Sequence, residues 1–225
     1  MFMPAEPLSP AEYRAAIYLD FEGEGKKLDK TIPAPHMAGF FRPNQTRTGG
    51  KHSCVFFSPL WKVVRNHFFK KAVIADFSDC FEQLALEVNA TGQHIVYWSI
   101  HEEIILKKYL PANIFKMIQP RLHNLLPVAR RYANRKKTFG RGQSASKRSL
   151  EDFLAALYKK RNPYPPFPLG AAEACRRIDK ACATHTRWRN FSKKQKSYAD
   201  ELVKYNEGDC KSTWLIAKRI GNYFS

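Results

Sequence analysis

Asp20 and Glu22 lie two positions apart in the segment YLDFEG (residues 18–23). In an extended segment, residues i and i+2 face the same side, so the two carboxylates project together while Leu19 and Phe21 enter the opposite layer. Carboxylates held side by side repel each other, and a divalent cation bound through hard oxygen ligands is the natural compensation. A second pairing occurs in YNEGD (205–209): on a helix, the phenol of Tyr205 and the carboxylate of Asp209 stand one above the other at i and i+4. Gly208, at a cost of about 1 kcal/mol relative to alanine in a helix interior, points to close approach at that spot. A third acidic feature is His101-Glu102-Glu103, which follows an apolar run and opens a helical pattern. Acids there suit the helix dipole, and open α/β sheets place functional groups beyond the carboxyl ends of their strands. Taken singly, each feature is equally compatible with solvated acids at the end of an element.

Other chemistries are less well served. Cys175, Cys182 and His185 have an unusual spacing for zinc and no evident fourth ligand, so packing on a helix face accounts for them better. There is no H-E-x-x-H, no G-x-x-x-x-G-K-[ST] loop and no dinucleotide-binding glycine fingerprint.

The elements that must position these residues follow from pattern. Residues 15–21 (AAIYLDF) read as a strand leading to Gly23 and Gly25. Residues 36–41 and 53–57 read as two more, joined by the turn-rich RPNQTRTGG (42–50) into an antiparallel hairpin. Asp76 or Ser78 caps a helix starting near Phe77, with Phe81, Leu84, Ala85 and Val88 on one side, that ends in NATG (89–92). HIVYWS (94–99) reads as a buried strand and EEIILKKY (102–109) as the next helix. NPYPPFPLG (162–170) is a rigid non-helical connection. Residues 198–223 form a long closing helix, with Val203, Cys210, Trp214, Ala217, Ile220 and Phe224 recurring at three- and four-residue steps. The expected fold is α/β: a mixed sheet, three antiparallel strands followed by parallel ones, flanked by helices. Residues 1–12 are expected to be a flexible lead and residues 13–225 a single domain.

The chain has 225 residues, 44% of them hydrophobic and 13% aromatic, which excludes a mostly disordered protein. No apolar run approaches the roughly 18–20 residues of a membrane span, and MFMPAEPLSP at the start has no leader-like apolar core. Five cysteines at irregular spacing fit a reducing compartment, so a cytoplasmic location is expected. The net charge is +18, and residues 104–150 hold twelve Lys/Arg and no acid. The densest part, residues 129–148, includes Arg130, Arg131, Arg135, Lys136, Lys137 and Arg141 and reads as a basic loop, because glycines and serines interrupt it. Arg187, Arg189, Lys193 and Lys194 form a second cluster, with Trp188 and Phe191 among them as candidate base-stacking rings. This distribution points to nucleic acid as the partner, with no membrane.

An acidic pair on the first strand, an acid after a later strand and Tyr-x3-Asp on the closing helix together resemble the DEDDy branch of the ribonuclease H-like superfamily. The wording of the motifs is closest to the predicted RecB-family-like nucleases, and the resemblance spans roughly residues 15–224. It implies a 3′→5′ exonuclease acting on single strands, with Mg²⁺ or Mn²⁺ as a pair of ions. Asp20 and Glu22 match the first motif, and Glu102, four residues before Leu106, matches the second, with Glu103 as the alternative. Asp209 matches the third as a metal ligand, and Tyr205 would orient the attacking water. Where relatives often carry an acid, this chain has Gly208. A non-catalytic nucleic-acid-binding module and a ribonuclease H-like endonuclease remain the alternatives, and DNA and RNA are both open as substrates.

Overall fold

Extended, β-branched and aromatic-rich segments at the start of the chain make the centre of the sheet. In the computed structural model, which describes residues 6–25, 31–44, 49–68, 70–139, 145, 148–158 and 167–224, β1 (Ile17–Glu22) pairs antiparallel with β2 (Met37–Pro43). β2 pairs antiparallel with β3 (Gly50–Phe56), which confirms the hairpin. On the other side of β1, β5 (Ile95–Tyr97) runs parallel to it, and β6 (Leu122–Asn124) parallel to β5; at the far edge β4 (Ala72–Ile74) runs parallel to β3. The six strands are ordered β4-β3-β2-β1-β5-β6. The protein is therefore an α/β fold with a mixed sheet flanked by helices, as expected. The two strands absent from the sequence reading, β4 and β6, have three residues each. Runs that short carry no usable alternation, and only their sheet partners define them.

Alternation along β1 divides the core into two layers. Ile17, Leu19 and Phe21 pack with Ala38, Phe40 and Val55 against α3 (Phe77–Thr91), α4 (Ile100–Tyr109) and α5 (Ala112–Ile118). Tyr18, Phe41 and Val96 face the opposite layer, formed by α1 (Pro10–Ala15), α6 (Leu125–Lys136), α7 (Leu150–Tyr158) and α9 (Lys193–Phe224). There α8 (Ala171–Thr184) and the first half of α9 cover Met37, Cys54 and Phe56, with Trp61, just ahead of α2 (Lys62–His67), filling the edge. Asp76 caps α3 by accepting from the Ser78 and Asp79 amides, and Gly92 ends it at φ +73°, the left-handed conformation glycine adopts without steric penalty. Ser192 and Gln195 exchange hydrogen bonds at the start of α9.

Three expectations need correction. The lead is already helical from Pro10, because Ser9 and Glu12 form a capping box and Tyr13 is buried beneath it. Residues 125–136 are helix, not basic loop: Leu125, Val128, Ala129, Tyr132 and Ala133 form one buried face, which a window opening at residue 129 cuts in two. Residues 140–144, with Arg141, and residues 162–166 of the proline-rich connection lie outside the described residues. Finally, Phe191 is a core residue, and Trp188 stacks on His67 with ring centres 4.3 Å apart, so these rings are engaged by the fold itself. Cys175 and Cys182 are buried on α8, consistent with packing. Among the described residues, no helix is long and apolar enough to cross a membrane.

Candidate active site

The pleat of β1 turns Asp20 and Glu22 toward the layer occupied by α9, with Asp20 opposite Gly39 and Glu22 opposite Met37 on β2. α9 crosses β1 and β2 there and presents Tyr205 and Asp209, on one helical face as their spacing requires, to the same spot. Asp20, Glu22 and Asp209 each offer a carboxylate oxygen, and these atoms lie within 4.8 Å of one another. Oxygens on opposite sides of one Mg²⁺, at about 2.1 Å each, stand about 4.2 Å apart. Donors already this close need to move only slightly to close on an ion.

The electrostatics are those of crowded carboxylates with no counter-charge beside them among the described residues. Burial is the main cause in every case. It holds the Asp20 carboxyl well above its ordinary range, reinforced by Glu22, Asp209 and Glu102. Glu22 is pushed up to about 8, by burial and by Asp209. Asp209 rises to about 7 through burial, although a hydrogen bond from Tyr205 favours its ionised form. Glu22 is only 5% exposed, and its Oε1 has no hydrogen-bond partner among the described residues. A buried carboxylate oxygen without a donor is unfavourable by roughly 1–3 kcal/mol or more, and a bound cation or proton removes that penalty. Three hard oxygen donors fit Mg²⁺ or Mn²⁺ better than a softer metal.

Glu102 is also buried and is pushed up to about 7, chiefly by desolvation. Its charge reaches Asp20, Glu22 and Asp209, raising all three. It nevertheless stands outside the close carboxylate group: Oε2 accepts from the Ser99 amide at 3.2 Å and the Ser99 hydroxyl at 3.1 Å, closing a capping box on α4. Glu103, the alternative, accepts from the Tyr97 hydroxyl at 2.8 Å and is not in the group either. Burial and the carboxylates of Asp209 and Glu22 drive the Tyr205 hydroxyl far above its ordinary range, so it stays a neutral donor. The ring of Phe167 lies 5.9 Å from that of Tyr205.

A cleft of about 220 Å³ opens beside Glu22, lined by Phe21, Pro33, Pro35, His101 and Ile105. Larger clefts of about 360 and 440 Å³ touch none of the four acids. Glu24, His36 and Asp179 form a second group of possible donors, but Asp179 already accepts from Trp61 Nε1 at 2.6 Å and pairs with His36 Nε2 at 2.6 Å. That arrangement ties α8 to the start of β2 and to Trp61.

The predicted cationic residues divide by environment. Arg135, Lys136 and Lys137, at the end of α6, are exposed, as are Arg187, Arg189, Lys193 and Lys194. Arg130 and Arg131 are half-buried and engaged within the fold.

The sequence reading missed Asn206. It is fully buried, and its Nδ2 donates to Asp20 Oδ2 at 2.8 Å. Its signal was available: a polar residue on the apolar stripe of α9, between Leu202 and Cys210. His52, 3.1 Å from Asn206 Oδ1, was missed too; it alternates with Cys54 and Phe56 along a strand whose other members at that phase are apolar. No protein-family model matches this chain, and no curated protein matches it.

Proposed function

We propose that the protein is a metal-dependent nuclease of the DEDDy type, hydrolysing phosphodiester bonds 3′→5′ on single-stranded nucleic acid. The observation that carries the reading is the convergence of Asp20, Glu22 and Asp209 with oxygens within 4.8 Å, beside an unsatisfied Glu22 oxygen and a protonated Tyr205. Asp20, Glu22 and Asp209 would hold the metal, with Glu102 adding negative charge from the start of α4. Mg²⁺ or Mn²⁺, as a pair of ions in this reading, would lower the pKa of the attacking water and neutralise charge on the leaving oxygen. Tyr205 contributes by geometry: its hydroxyl donates a hydrogen bond to Asp209, and the hydroxyl oxygen would accept one from the water, orienting it toward phosphorus. The cleft beside Glu22 leaves room for the end of a strand.

Tyr205→Phe separates orientation from metal binding. The variant is expected to bind Mn²⁺ as tightly as wild type while hydrolysis slows about 10- to 1000-fold, the effect of losing one orienting hydrogen bond. Asp209→Asn removes an anionic ligand and should weaken metal binding as well. A metal titration of the cleavage rate for both variants makes the comparison, and a wild-type rate in Tyr205→Phe reduces the tyrosine to a packing residue.

The exposed cations at the end of α6 and around the start of α9 would hold the phosphate backbone. Affinity for a single strand should then fall with salt at a slope near −0.7 per contacted phosphate. Replacing Arg135, Lys136 and Lys137 together by alanine should flatten that slope by one to three contacts, measured by fluorescence anisotropy at several salt concentrations. An unchanged slope marks them as a solvated charge run.

One observation favours the second reading, a nucleic-acid-binding module without catalysis: Glu102 is bonded to Ser99 instead of joining the three-carboxylate group. Incubating labelled single-stranded DNA and RNA with Mg²⁺ or Mn²⁺ decides between them, since the module binds without cutting. A blocked 3′ end distinguishes exonuclease from endonuclease.

A further inference from the structure

The amide of Asn206 occupies a slot whose walls fix its orientation. Nδ2 faces two acceptors of one residue, Asp20 Oδ2 at 2.8 Å and the Asp20 backbone oxygen at 3.3 Å. Oδ1 therefore faces His52, whose Nε2 lies 3.1 Å away and must carry a proton to donate to it. On its other side, His52 Nδ1 lies 3.9 Å from Glu207 Oε2, and Glu207 is paired with Lys211 at 2.6 Å and Lys71 at 3.5 Å. Asn206 and His52 are both buried, so neither amide nor ring can exchange these partners for solvent.

The slot exists because residue 39 is glycine. A Cβ at that position would lie 1.6 Å from Asn206 Oδ1 and 2.9 Å from His52 Nε2. Gly39 is the register partner of Asp20, so the one place where β2 gives up its side chain is directly opposite the acid that Asn206 contacts. The space lets a helix residue 186 positions away reach between two strands.

We infer that Asn206 is the positioning residue of the metal site, and that His52 acts through it. Asn206 holds the Asp20 carboxylate turned toward Glu22 and Asp209, and His52 holds Asn206 in the orientation that presents a donor to Asp20. This rests on the metal-binding reading of the three carboxylates. Groups that orient metal ligands commonly affect metal affinity 10- to 100-fold.

The test is calorimetric titration of Mn²⁺ into the full chain without substrate, with thermal melts in chelator alongside. Asn206→Ala should weaken Mn²⁺ binding 10- to 100-fold. His52→Gln, whose amide can still donate to Asn206 Oδ1, should bind within about threefold of wild type, whereas His52→Leu should lose about 5- to 10-fold. His52→Leu combined with Asn206→Ala should be no weaker than Asn206→Ala alone, because both act on one carboxylate. If Asn206→Ala does not fold, the comparison of His52→Gln with His52→Leu carries the test. Wild-type Mn²⁺ affinity in Asn206→Ala, or equal loss in the two His52 variants, overturns the inference and leaves the nuclease reading standing. Failure of wild type to bind Mn²⁺ overturns both.

Discussion

Asp20→Asn is expected to lose cleavage and gain stability together. Asp20 lies close to Glu22 and Asp209, and both of them, with Glu102, oppose its ionisation. Removing its charge takes away a metal ligand, which is worth several kcal/mol of transition-state stabilisation and so roughly 10³- to 10⁵-fold in rate. The same change relieves repulsion among buried carboxylates, so the metal-free variant should melt about 2–5 °C above wild type, on the order of 1 kcal/mol for a chain of this length. Asn206 can still bond to the new amide's oxygen, which keeps the local packing. A gel time course on labelled single strands with Mn²⁺, and melts in chelator at pH 8, provide the two readouts. Retained cleavage, or a variant less stable than wild type without metal, contradicts the assignment.

The second large effect is a dependence of stability on pH that bound metal largely cancels. Burial raises Glu22 to about 8 and Glu102 and Asp209 to about 7 in the native state, above the values near 4 of the unfolded chain. Between those limits the folded state binds more protons, so stability is full below the unfolded values and is lost as pH rises through the folded ones. Buried His123, lowered to about 4 by desolvation, works in the opposite sense below about pH 6.5, where the unfolded histidine becomes charged. The informative window is therefore about pH 6.5 to 8.5, above the range in which His123 opposes the carboxylates. Across it the metal-free protein should lose on the order of 2–4 kcal/mol, or about 5–10 °C. Mn²⁺ needs the ionised carboxylates and should restore most of this at pH 8.5 while adding little at pH 5. A melting temperature that is flat across the window, or equal stabilisation by Mn²⁺ at both pH values, would falsify the idea that these acids form an uncompensated metal site.

What was legible in the sequence was what local periodicity encodes. The pleat of β1 dictates that Asp20 and Glu22 share a face opposite Leu19 and Phe21, and the 3.6-residue turn of α9 dictates that Tyr205 and Asp209 do. Asp76 and Gly92 mark the ends of α3 through cap chemistry that depends only on neighbouring backbone. The alternation of extended and helical stretches was enough for an α/β mixed sheet. The tertiary structure decided the rest, because a period states which way a side chain faces and nothing about which distant residue faces it. It brought α9 across β1 at the level of Asp20, turned Glu102 to Ser99 and Glu103 to Tyr97, and made strands of β4 and β6 by supplying their partners. It also revealed why residue 39 is glycine and residue 206 asparagine. Neither has a local reason, and the two make sense only as one volume, the missing Cβ on β2 filled by the amide from α9.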